Sequence, residues 1–208
     1  MQVHLLLLEE SPLTHRFSLT NSQALIESKR NQPHRHILTA IKAIIFFGTP
    51  HEGLRTYDLE EMVDAESGGY ETSRHNLLKQ LREGSEFLEV QKEELSHIWN
   101  EYMPKIVSFY ETVKTPTVEK VSLEPQFLNN EINSLQSDSG RYERNGKESE
   151  MVKRFSAQLY IPTEQRVPVD KCHYSMVKFA SAQDPTYRTV VRYLLEWVDS
   201  ITKSNGIK

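Results

Sequence analysis

Residues 43–53 read Ala43-Ile44-Ile45-Phe46-Phe47-Gly48-Thr49-Pro50-His51-Glu52-Gly53. An unbroken apolar run, rich in β-branched and aromatic side chains, feeds straight into a turn built from Gly, Pro and Gly. The run is too short for a helix and shows no polar alternation. It fits a strand buried on both faces, and such strands belong to parallel sheets covered by helices. The turn then lies at the carboxyl end of the strand, where open α/β sheets gather their sites. The expected fold class is α/β.

The chain has 208 residues, enough for one domain with a sizeable core. Its formal net charge is −4, and Lys and Arg are scattered among Asp and Glu, which argues against a nucleic-acid surface. Cys172 is the single cysteine, so no intramolecular disulfide forms, and a reducing compartment is the simpler reading. Leu5 to Leu8 form an apolar burst far too short to span a bilayer. The burst lacks the basic flank and small-residue cleavage site of a secretory signal. It reads as a buried strand or an accidental terminus, and no transmembrane segment is expected.

Further along, Ser22 to Arg30 has helical spacing and Pro33 closes it. His34 to Ile41 reads as a short turn or helix. Glu60 to Gly69 is acidic and glycine-containing, which suggests a surface loop or lid. Leu77, Leu78 and Leu81 form one helical stripe, and Phe87, Leu88, Leu95, Ile98 and Trp99 a second. Residues 104–112 supply the next central strand, with Ile106, Val107, Phe109 and Tyr110 suited to a pleat. Residues 123–147 are dominated by Asn, Ser, Gln, Asp and Gly and are expected to be a disordered insertion. A short third strand is expected around Met151 and Val152. The last helix is the clearest: Asp184 caps it, Pro185 suits its first position, and Tyr187, Val190, Val191, Leu194, Leu195, Val198 and Ile201 repeat with helical period.

Two segments resemble a known family. Phe46 to Gly53 resembles the Phe-x-Gly-Thr-Pro-His-x-Gly signature of the lipase-like branch of the α/β-hydrolases. His173 to Phe179 resembles that family's His followed by Met-x-Lys-Phe before the last helix. The likeness is to the serine-active-site-containing (SERAC1-like) esterase domains common in fungi, and it runs from about Gln23 to Val198. It implies a partial α/β-hydrolase fold: a parallel central sheet flanked by helices, without the amino-terminal strands and the nucleophile elbow. Residues 1–22 are then an atypical amino-terminal segment, 23–201 the carboxyl-terminal part of the domain, and 202–208 a tail. The implied activity is hydrolysis of lipid or acyl esters, with no cofactor. The implied location is cytoplasmic by default, with mitochondrial or endoplasmic-reticulum association open.

A serine hydrolase of this fold needs a nucleophile, an acid and a His in that chain order. The resemblance maps the general base onto His173. The acid is less clear: Phe155 stands where members often carry one before Ser156-Ala157. Glu150 is the nearest substitute, Glu148 a weaker one, and Asp170 reads as a loop residue. No Gly-x-Ser-x-Gly occurs in the chain. The segment Thr14 to Ser22 has no glycine, and Ser18-Leu19 only echoes an elbow, with the β-branched Thr20 where a Gly belongs. His51 comes too early in the chain for the base and is expected to shape the loop. His34, His36 and His51 have no Cys or carboxylate at ligand spacing, so no metal site is expected. The expected function is therefore a hydrolase domain without its nucleophile; the alternative is a non-catalytic module that binds a protein partner through the same scaffold.

Overall fold

The computed structural model describes residues 4–8, 15–121 and 141–204. In chain order the elements are β1 (His4–Leu8), α1 (His15–Arg30), α2 (Arg35–Ala40), β2 (Ile41–Phe47), α3 (Tyr57–Ser67), α4 (Ser73–Leu81), α5 (Glu86–Tyr102), β3 (Lys105–Glu111), β4 (Thr115–Pro116), β5 (Glu119–Val121), β6 (Arg141–Glu143), β7 (Glu148–Ser149), β8 (Glu164–Val169) and α6 (Pro185–Ser204). The central sheet has the order β1-β2-β3-β8, and every neighbouring pair is parallel. Helices connect β1 to β2 and β2 to β3, so the fold is of the α/β class.

The apolar run of β2 divides between two layers. Ile44 and Phe46 pack with Leu25 and Ile26 of α1 and with Leu95, Ile98 and Trp99 of α5. Ala43, Ile45 and Phe47 face the other way, onto Val107, Phe109 and the α6 residues Val190 and Trp197. Alternate side chains of a strand leave opposite faces, which is why a continuous apolar run is needed where both faces are covered. A third cluster, with Leu54, Leu59, Leu81, Tyr110, Met151 and Val152, closes the carboxyl end of the sheet. Among the described residues no helix is long and apolar enough to cross a membrane.

Several expectations are met and several corrected. Leu5 to Leu8 form a strand that pairs with β2, so Ile44 to Phe47 are internal to the sheet. Helix α1 begins at His15, ahead of Ser22. The acidic stretch read as a lid is the helix α3; its acids Asp58 and Glu60 lie in the first turn, where the helix dipole favours them. Gly68, at φ 63°, closes that helix in the left-handed region. Met151 and Val152 are buried but form no strand. The fourth strand is β8, whose exposed Gln165, Arg166 and Pro168 disguise it as a loop. The polar insertion lies partly outside the described residues (122–140). Its carboxyl part is ordered, with β6 antiparallel to β5 and Gly146 donating to the Thr117 carbonyl at 3.1 Å.

The last helix starts where its capping chemistry places it. Asp184 Oδ1 accepts the N–H groups of Thr186 at 2.9 Å and Tyr187 at 3.3 Å. Its inward side carries Val190 and Trp197, whereas Leu195 and Val198 face outward.

Candidate functional site

Strands β2, β3 and β8 end side by side, and the loops that follow them converge. Gly48 leaves β2 at φ 59° and donates its N–H to the Phe109 carbonyl at 2.8 Å. A side chain at this position meets two obstacles: the left-handed backbone and the ring of His173. A Cβ there would sit 2.8 Å from His173 Cε1 and 2.9 Å from Nδ1, with Met176 Sδ at 3.0 Å. The turn is tied down further on by Ser156, which is fully buried. Its hydroxyl donates to the Gly53 carbonyl at 2.6 Å and accepts the Glu52 N–H at 3.1 Å. The His51 N–H donates to the Ser156 carbonyl at 2.9 Å.

His173 opens a short turn after β8 and before α6, and its side chain has no exposed surface. Its backbone N–H donates to Thr115 Oγ1 at 3.1 Å. The Thr115 hydroxyl in turn donates to Glu111 Oε2 at 3.1 Å. Glu111 is the last residue of β3, and its Oε1 accepts the N–H groups of Met151 at 2.9 Å and Val152 at 3.0 Å. Burial pushes the Glu111 carboxyl above its ordinary value; the hydrogen bonds from Val152, Thr115, Met151 and the His173 backbone oppose that rise. The structure thus ties the carboxylate at the end of one strand to the His segment after the next, through one threonine.

Glu150 and Glu148 take different places. Both are exposed and line a cleft of about 900 Å3 with Arg55, Tyr57, Lys114 and Lys147. Asp170 is exposed as well. Among these carboxylates only Glu111 is bound to the His173 segment. Sequence reasoning passed over it because a Glu ending a strand resembles a solvated residue. The available signal was its position: an acid at the carboxyl end of a central strand, in a fold that assembles sites there.

His51 is buried, with its ring edge-on to Phe46 at 4.8 Å and 88°. Burial, helped by the charge of Lys92, lowers its pKa from 6.5 to about 3, so it stays neutral at ordinary pH. It borders a pocket of about 380 Å3 that also meets Ser85, Leu88, Lys92 and Phe155. His34 and His36 are exposed, and among the described residues no cluster of three or more His, Cys, Asp or Glu is arranged to hold a metal.

Ser18 lies inside α1, not in a turn. An elbow requires a strand, a sharp turn and a helix, and the segment between β1 and α1 contains a second serine, Ser11. That segment reads Glu9-Glu10-Ser11-Pro12-Leu13-Thr14, outside the described residues, with Glu9 and Leu13 flanking Ser11 where an elbow carries glycines. No family model, curated protein or solved structure matches the chain.

Proposed function

We propose that the chain carries the acid–base half of a serine-hydrolase site, with Glu111 and His173 in place and no working nucleophile, on the carboxyl-terminal part of a SERAC1-like α/β-hydrolase scaffold. One observation carries the reading: Glu111 ends one parallel strand and His173 follows its neighbour, in the order acid then His, and Thr115 links the Glu111 carboxyl to the backbone N–H of His173. In such a site the His takes the proton of a hydroxyl nucleophile and returns it to the leaving group, while the carboxylate stabilises the imidazolium. Glu111 replaces Glu150 in this role because its hydrogen bonds reach the His173 segment, whereas Glu150 lines the exposed cleft. Lipid or acyl esters are the substrate class the resemblance supplies.

The missing piece is the turn. Glu9 and Leu13 carry Cβ atoms where the strained elbow and its close helix approach call for glycine. A second reading has its own support. His173 has no exposed surface, packed against Gly48 and Met176, which suits a scaffold kept for protein binding.

A fluorophosphonate probe and short-chain p-nitrophenyl esters test the proposal. The intact chain should show neither labelling nor turnover. Labelling at Ser11 or Ser18 that disappears on substitution by Ala would refute the missing nucleophile. A chimera with a Gly-x-Ser-x-Gly turn in place of residues 9–14 should gain esterase activity. In that chimera His173→Ala should cost on the order of a thousandfold, because triad members act as a unit. Equal activity with Ala at position 173 would remove His173 from the role, and a folded chimera that stays inert would favour the binding scaffold.

A further inference from the structure

We infer that the cleft beside β7 is a docking groove for an extended peptide, which adds a strand to the free edge of β7 and carries basic residues at two alternate positions followed by an acid. Strand β7 pairs antiparallel with β4, Ser149 opposite Thr115 and Glu148 opposite Pro116, and among the described residues it bonds to no other strand. Glu148, Ser149 and Glu150 line the cleft of about 900 Å3, whereas Thr115 and Pro116 behind them do not. The edge of β7 that opens on the cleft is therefore the unpaired one. Free backbone groups on such an edge are a template for a further strand. A peptide laid along it gains main-chain hydrogen bonds, with side chains supplying the specificity. A lipid headgroup has no such main chain to offer.

The charges of the cleft select the peptide. Three cations of its lining are neutralised within the chain: Arg55 pairs with Asp58, Arg82 with Glu60 and Lys153 with Glu83. Lys114, Lys147, Glu148 and Glu150 also line the cleft; all four are exposed, and among the described residues none has an ion-pair partner. Glu148 and Glu150 are two residues apart and share one side of the ladder, while Thr115 and Ser149 share the other. Thr115 is fully buried, which puts the two acids on the solvent side. An antiparallel addition, the more stable pairing, sets alternate residues of the peptide beside Glu150 and Glu148 and the next residue beside Lys147. Opposite charges across the strands then read basic, any residue, basic, acid. Lys114 stands on the far side of β7, roughly 10 Å or two strand spacings from the added strand, where salt screens its repulsion.

Fluorescence anisotropy of a labelled threonine-rich peptide carrying Lys-Thr-Lys-Glu, titrated with the full chain, tests the inference. Saturable binding is expected, and the same residues in scrambled order should bind more weakly by about tenfold. Glu148→Lys combined with Glu150→Lys should also weaken binding by about tenfold or more, since two attractive cross-strand pairs become repulsive. A peptide carrying Glu-Thr-Glu-Lys should then prefer that variant. Both side chains are exposed, so far-UV dichroism and the melting temperature should hold. N-methylation separates main-chain pairing from charge attraction: only every second amide of an added strand faces β7. Methyl groups on one alternate set of peptide nitrogens should abolish binding, and on the other set should be tolerated. A wild-type chain that shows no saturable binding overturns the groove. Binding that ignores residue order, or that tolerates both methylated peptides, overturns strand addition. Binding of phosphatidylcholine vesicles that depends on Glu148, with no peptide binding, would give the cleft to a lipid headgroup instead. The peptide rests on the protein-binding reading of the scaffold and not on His173, so failure of this titration and failure of the esterase chimera are told apart.

Discussion

The imidazole of His173 rests on the α-carbon of Gly48, so closely that no side chain fits between them. This contact joins the two segments whose sequences resemble the hydrolase family, and it makes glycine obligatory at position 48 for two separate reasons. Gly68 isolates one of them, since it has the same hand of backbone, φ 63°, but open space around its α-carbon.

Gly48→Ala should therefore cost much more than Gly68→Ala. The left-handed backbone costs about 1 kcal/mol at either position. At Gly48 the clash with His173 and Met176 adds overpacking, for a total of about 2–4 kcal/mol. Equilibrium urea denaturation of both variants measures the difference. Equal losses would show that the His173 ring yields freely.

Ser156→Ala should destabilise the protein by about 1–3 kcal/mol, because it orphans the Gly53 carbonyl and the Glu52 N–H in a dry environment. Thermal melts compared with those of the exposed control Ser200→Ala would register it. A loss no larger than the control's would mean that the turn after β2 finds other partners.

Glu111 makes stability depend on pH in an unusual direction. Its folded carboxyl holds a proton to higher pH than the unfolded value of 4.5. Its contribution is then complete below 4.5 and is lost as pH rises through the folded value. Glu111→Gln keeps an acceptor for Met151 and Val152 and cannot ionise. Relative to the parent, the variant should gain stability as pH rises from 4.5 towards neutrality. Parallel stability–pH curves for the two proteins would contradict the burial-driven shift.

His51 acts in the opposite sense. It titrates at 6.5 when unfolded and at about 3 when folded. Its contribution is whole above 6.5 and declines as pH falls from there, by up to about 1.4 kcal/mol per pH unit. His51→Phe retains an aromatic ring against Phe46 and removes the titration. The acid limb of the curve should become shallower by up to one proton, and an unchanged slope would count against a neutral buried His51.

The central strands and the last helix were legible because their signals are local. An apolar run needs only two covered faces, and Asp184-Pro185 starts a helix by capping chemistry whatever lies around it. Helix α3 was misread because the acids and the two glycines of Glu60 to Gly69 look like loop composition; in place, Glu60 lies in its first turn and Gly68 ends it. Met151 and Val152 looked like a strand because they are apolar and adjacent. They are buried in the cluster with Leu54, Leu81 and Tyr110 and held there by Glu111, a partner 40 residues away for Met151, and no local pattern reports either. The same distance hid Glu111 itself. β8 was missed because an edge strand shows polar side chains to solvent.

Carboxylates do the work of strand partners throughout the irregular parts of this chain. Asp58 accepts the Val118 N–H at 2.8 Å, Glu164 those of Leu159 and Tyr160 at 2.8 Å, and Glu111 those of Met151 and Val152. Backbone outside helices and strands normally exchanges its amide protons quickly, since opening it costs little. Here the opening of residues 151–152 must also strand a desolvated carboxylate. Deuterium should therefore enter at Met151 and Val152 as slowly as in β3 itself, so that a map of slow amides would trace a rim around the sheet's carboxyl edge that secondary structure alone does not draw.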